Sequence, residues 1–394
     1  MRMGSLYFAS DKAIFDALTQ RSLTSAELRK VFLSRGIVIS NDSDKKFLAS
    51  RFSALFHDYY DYRNLSLLVG GRHGREKTTN VTVTSNVAKE KLTDALHSVK
   101  EWLTDTLHEQ AEISIVNDQL KLTVKYQKLD FTQAEFRQVI EKTAEITIEK
   151  QGKGWKITGP MNEKFKDVTE QLYSQIEIVT EEEVATRAIS LAAIADPKIR
   201  TGFLRSMIQN LKDMEVVDVI DVSTFNPSDQ ASDDLDLSDA ALVIEDSLEI
   251  SGSDEAGEEE SDEDSDEDEG VPLQPEVRVH KIIRIEKASL KGKGVLESKQ
   301  LLELEGHGFY LWKIKWKART KSLVGAEIVE FEAQFGNQVT YSDFSYMVRG
   351  VYNYHNGKHS DHRVRASTLV EEALKVKLEQ AAQKTLDEIE RSLK

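Results

Sequence analysis

The sequence predicts an α+β protein: an N-terminal helical module, a mixed α+β domain, a disordered acidic tether and a basic α+β C-terminal domain. Three observations carry this. Apolar residues recur at helical spacing at both ends of the chain, as in Ala13, Ile14, Ala17 and Leu18 and in Leu374, Leu378, Leu386 and Ile389. Strand-like alternation broken by turn residues marks Ile113–Tyr126, Ile146–Ile157 and the region after Tyr310. Between Pro227 and Gly270 lie twenty Asp and Glu and not one Lys, Arg or His.

That stretch decides how the net charge of −16 is read. Residues 1–226 hold 31 basic and 32 acidic side chains, and residues 271–394 hold 21 and 16. The expected organisation is a helical module over 1–66, a mixed α+β domain over 85–226, an acidic disordered linker over 227–272 and a basic α+β domain over 273–394. A block of like charge repels itself and resists folding. Its first half, with Leu235, Leu237, Leu242, Val243 and Ile244, is acidic and apolar together, a composition suited to docking.

In chain order, the first helix carries Ile14 and Leu18. A second starts at Thr24, where Thr24-Ser25-Ala26-Glu27 has the capping-box form. It presents Leu28, Val31 and Phe32 and stops at Gly36. A third carries Phe47, Leu48, Phe52 and Leu55. Gly70-Gly71-Arg72-His73-Gly74 reads as a loop. The mixed domain opens with a helix bearing Leu92, Leu96, Val99 and Leu103. Two strands flank Asn117-Asp118, a helix is expected over Thr132–Lys142, and a hairpin turns at Gly152-Lys153-Gly154. Further helices are expected over Glu163–Gln175, Glu182–Ile194 and Lys198–Lys212, then a strand over Val216–Val222. Past the acidic stretch a strand begins at Val277, a helix near Leu296, then two long strands. The closing helix starts at Thr368, in a second capping-box form.

Composition excludes several chemistries. There is no Cys, so disulfides, zinc-thiolate sites, iron–sulfur clusters and a cysteine nucleophile are ruled out. No run approaches the roughly 20 apolar residues of a membrane span. The opening residues lack a secretory apolar core, being interrupted by Asp11 and Lys12. A cytoplasmic protein without a cofactor is expected. Walker A, dinucleotide, zinc-protease and Ser-elbow motifs are absent, which weighs against an enzyme.

Leu23-Thr24-Ser25-Ala26-Glu27-Leu28, Arg35-Gly36-Ile37, and Lys45, Lys46, Leu48, Arg51 and Phe52 together resemble the SAP and HeH family of small DNA-binding modules, over residues 22–56. The resemblance implies a helix, an extended loop and a second helix whose N-terminal end meets phosphate. Carried over, the contacts fall on Ser43, Lys45, Lys46 and Arg51. The loop departs from the family in carrying Asp42 and Asp44, which oppose a phosphate. The resemblance also implies a setting in DNA repair or in genome and antiviral defence.

Independently, Lys313, Lys315, Lys317 and Arg319 alternate with Trp312, Ile314 and Trp316, so the four cations share one face of a strand. Glu330 and Glu332 project from the partner strand, and Arg278 and Arg284 add charge upstream. A basic sheet face is a phosphate platform, or a solvated face laced by ion pairs. Downstream, Tyr341, Phe344, Tyr346, Tyr352 and Tyr354 interleave with Arg349, Lys358, Arg363 and Arg365, a pattern able to stack single-stranded bases. His355, His359 and His362 sit in the same stretch, where Asn356-Gly357 argues for a loop.

The expected function is a non-catalytic nucleic-acid-binding or adaptor subunit of an intracellular assembly, binding DNA rather than RNA and holding a protein partner. Two other readings stand beside it: an interaction scaffold with an autoinhibitory acidic tether, and a metal-dependent nuclease built on Glu330 and Glu332.

Overall fold

The computed structural model describes residues 9–20, 23–70, 75–116, 119–131, 135–227, 242–245, 286–321 and 326–393. The chain is α+β and divides into two compact units, residues 1–188 and 189–394.

The first unit begins with four helices: α1 (Asp11–Thr19), α2 (Ser25–Ser34), α3 (Lys45–Ser53) and α4 (Tyr59–Gly70). Local chemistry sets three of the starts. Ser10 accepts from Ala13 N, and Asp44 accepts from Phe47 N at 2.6 Å. Thr24 and Glu27 form the full reciprocal capping box, with Thr24 N donating to Glu27 Oε2 at 2.8 Å. Their apolar stripes bury Ile14, Leu18, Leu28, Phe32, Leu48, Phe52 and Leu65 in one core, where Phe32 and Phe52 meet edge to face at 5.1 Å.

A β-layer follows: β1 (Thr78–Val83), α5 (Lys89–Glu101, running into a π-turn over Trp102–Thr106), β2 (Gln110–Val116), β3 (Gln119–Leu129), β4 (Val139–Gln151), β5 (Gly154–Pro160), α6 (Glu163–Thr180) and β6 (Thr186–Ala188). The antiparallel order is β2-β3-β4-β5-β1, with β6 also on β1. Leu92, Leu96 and Val99 of α5 and Val168, Leu172 and Ile176 of α6 pack on Leu120, Leu122, Ile146, Ile148 and Ile157 of the strands.

Two expected helices are absent here. Over Thr132–Lys142 the described residues form a short 3-10 turn at Glu135–Arg137 and then β4, because Val139 and Ile140 extend the ladder opposite Leu129 and Lys128. Over Glu182–Ile194, Glu181 ends α6 in the left-handed region, and 186–188 pair with β1. Val184 packs on the core of the first unit's sheet while Ile189 and Leu191 are buried in the core of the second unit, so the apolar residues of this run do not form one helical stripe.

The second unit comprises α7 (Pro197–Gln209), β7 (Met214–Phe225), β8 (Leu242–Glu245), β9 (Lys287–Lys291), α8 (Lys299–Gly306), β10 (Tyr310–Thr320), β11 (Ile328–Asn337), β12 (Ser342–Tyr352), the small hairpin β13 (Tyr354–His355) and β14 (Lys358–His359), and α9 (Thr368–Ser392). The sheet order is β12-β11-β10-β7-β9-β8, antiparallel except for β8 against β9. Phe203, Leu204 and Met207 of α7 and Leu378 and Leu386 of α9 cover Ile314, Trp316, Phe331 and Phe335. Each such burial contributes about 1.5–3 kcal/mol. Ser367 caps α9 without a side-chain bond, so the capping box expected at Thr368 is not made.

Two boundaries differ from expectation. Residues 189–226 belong to the second unit and not to the mixed domain, because β7 pairs with both β9 and β10. The acidic stretch, expected as a disordered linker between domains, instead lies between β7 and β9 of one sheet, and its residues 242–245 form β8, parallel to β9. It leaves where Phe225 faces Lys287 and where Asn226 N donates to Glu286 O at 2.9 Å. Loop-closure entropy grows only with the logarithm of length, so a long insertion in a hairpin is thermodynamically tolerable.

Candidate nucleic-acid interface

On the face of the second sheet away from α7 and α9, register lines the polar residues into rows. Lys315 lies between Asp221 of β7 and Glu332 of β11; Lys317 lies opposite Glu330, and Lys313 between Ser223 and Gln334. The expected one-sided row of lysines is therefore present, but it is not a bare row of cations. Lys315 is bonded to Asp221, and Lys313 Nζ lies 3.9 Å from Glu332. Lys317 sits 4.4 Å from the ring centroid of Tyr352. Arg319, at the strand end, is paired with Glu215 at 3.2 Å.

The carboxylates are the most buried members. Glu332 is 2% exposed and Glu330 5%. Arg349 NH1 donates to Glu332 at 2.6 Å, and its Nε lies 3.2 Å from Glu330. Glu330 also accepts from Arg363 and, at 2.7 Å, from the Tyr352 hydroxyl. Burial first, then the bond to Glu330, push the Tyr352 phenol up to about 12, so it remains a donor at neutral pH. Gly350 makes room for the returning chain: a Cβ there would sit 2.3 Å from Val364 O.

Three buried carboxylates (Asp221, Glu330, Glu332) thus meet four cations (Lys313, Lys315, Arg349, Arg363), and Lys317 rests on the Tyr352 ring with Asp218 opposite it. The carboxylates hold the cations in place, and the balance stays positive. The oxygens of Glu330 and Glu332 are engaged by guanidinium, ammonium and phenol groups. Asp221 was missed in the sequence. Its only signal is its place in the β-branched run of β7, two strands from Glu332.

In the first unit, α2 and α3 flank the segment carrying Ser43. The two adjacent lysines of α3 have different fates. Lys45 turns inward and donates to Thr19 O at 3.1 Å and to Gln20 O, closing the end of α1. Burial lowers its pKa, with Glu27 opposing the shift. It is a structural residue, which corrects its assignment as a phosphate contact. Lys46 and Arg51 are exposed, and the Arg51 guanidinium lies 5.3 Å from the exposed Phe47 ring. The N-terminal end of α3 is already taken by an anion, the Asp44 carboxylate. Ser43 is tied back through its carbonyl, which accepts from Arg29 at 3.1 Å.

Arg278 and Arg284 lie outside the described residues. Tyr341 and Tyr346, which had suggested base stacking, are core residues. His359 Nε2 lies 2.9 Å from Ala326 O.

No protein-family model matches this chain, and no curated protein matches it in sequence. No helix among the described residues is long and apolar enough to cross a membrane.

Proposed function

We propose that the protein is a non-catalytic nucleic-acid-binding subunit of a larger assembly, engaging phosphate through the polar face of its second sheet. The observation that carries this is the cation surplus over buried carboxylates, with Arg349 and Arg363 each about one-third exposed at the surface of the network. Cations fixed by neighbours lose little conformational freedom on meeting phosphate. Lys46, Phe47 and Arg51 on α3 form a second, smaller contact, and DNA is the favoured ligand. Titration of labelled DNA with the purified protein at stepped salt tests this reading. Affinity is expected to fall linearly on a log–log plot, because each phosphate contact releases counterion. Salt-independent binding, or none, overturns it.

The adjacency of Asn226 and Glu286 favours a second element, autoinhibition. Both ends of the polyanionic insertion are rooted in the sheet that carries the cationic face, so its local concentration there is high. The insertion competes with nucleic acid for that face.

A further inference from the structure

The β13–β14 hairpin is not needed by the ion network, yet it is built with unusual care. Its two-residue turn places Asn356 at φ 50° and Gly357 at φ 82°, the backbone of a tight hairpin turn for which Asn-Gly is the preferred pair. Tyr354 pairs with His359 and His355 with Lys358. The root is fixed by Ser360 N donating to Asn353 O at 2.8 Å and by the bridge between Val351 and Val364. Tyr354 is 36% exposed, and its ring meets His359 edge to face at 4.9 Å, so the ring is propped from one side. His355 and Lys358 are exposed beside it. Tyr352, two residues before the hairpin, and Arg363, four residues after it, both reach Glu330 in the cationic network.

A rigid hairpin that presents a propped aromatic ring next to a row of phosphate-binding cations fits unpaired bases. Stacking needs an accessible π-face, which a duplex hides and a single strand offers. We infer that Tyr354 stacks on a base of single-stranded nucleic acid whose backbone runs along Lys317, Arg349 and Arg363. This rests on the nucleic-acid reading above and names its substrate as single-stranded.

The test measures fluorescence anisotropy of the full chain with a labelled 12-nucleotide single strand and with a duplex of the same length. Wild type is expected to prefer the single strand. Tyr354→Ala is expected to weaken single-strand binding at least fivefold, the lower end of what one stacked base contributes (about 1 kcal/mol), and to leave duplex binding within twofold. Tyr354→Phe, which keeps the ring, retains wild-type affinity. Circular dichroism verifies that each variant is folded. Single-strand binding unchanged in a folded Tyr354→Ala, or a duplex preferred by wild type, overturns the inference while leaving the broader reading standing. No salt-dependent binding to either probe overturns both.

Discussion

The two units each carry an antiparallel sheet with helices on one face and charged residues on the other, and the two charged faces obey different physics. In the first unit Lys121 meets Glu145 at 2.9 Å with the glutamate 60% exposed. Such a pair gains little, because water competes for both partners. In the second unit the carboxylates of Asp221, Glu330 and Glu332 are removed from water and survive only through their cationic and phenolic partners. Removing a partner there leaves a buried charge alone. The same pairing of Lys and Glu across strands is decoration at Lys121 and construction around Glu330 and Glu332. Burial is what separates them.

The sharpest way to break this comparison is a matched pair of deletions. Glu332→Ala is expected to cost about 1.5–3 kcal/mol in urea unfolding, since it removes the buried carboxylate that accepts from Arg349 and lies beside Lys313. Lys121→Ala in the first unit is expected to cost under about 1 kcal/mol. Similar losses would mean that burial does not set the hierarchy.

A second contrast lies within one helix. Lys45→Ala is expected to destabilise by about 1–2 kcal/mol, through loss of charge-assisted bonds to the end of α1, whereas the exposed Lys46→Ala leaves the unfolding midpoint unchanged. Equal midpoints for the two variants would refute the structural role given to Lys45.

Smaller effects sharpen the functional side. Lys317→Gln removes a cation held by a ring and not by a buried carboxylate, so the fold should tolerate it. DNA affinity should then fall several-fold, with the salt slope reduced by about one. Reversal of Lys315 is a poor substitute: it would set a third carboxylate beside Asp221 and Glu332, and lost binding would then report lost folding.

The smallest expected change follows excision of Asp254–Glu269, which leaves β8 in place. Affinity for DNA should rise a few-fold at low ionic strength and converge with wild type at high salt, where screening is strong. A variant with the acidic residues moved to the N-terminus separates local competition from bulk charge. If it binds like wild type at every salt concentration, the insertion has no local role.

What the sequence determined by itself was whatever depends on neighbours a few residues apart. The Thr24–Glu27 capping box, the apolar stripes of α1 to α3 and α5, the turn at Gly152-Lys153-Gly154 and the shared face of Lys313, Lys315 and Lys317 all follow from local periodicity and side-chain reach. The class α+β follows from their sum. Tertiary structure decided whatever depends on which strand lies beside which. Sequence periodicity cannot show that β7 and β9 pair across the acidic stretch, which makes that stretch an insertion in one unit. It cannot show that Asp221 lies against Lys315, or that Lys45 folds inward while Lys46 stays in water. Those outcomes rest on contacts between residues tens to a hundred positions apart, where register and burial fix whether a charge is a partner, a prop or a contact for something else.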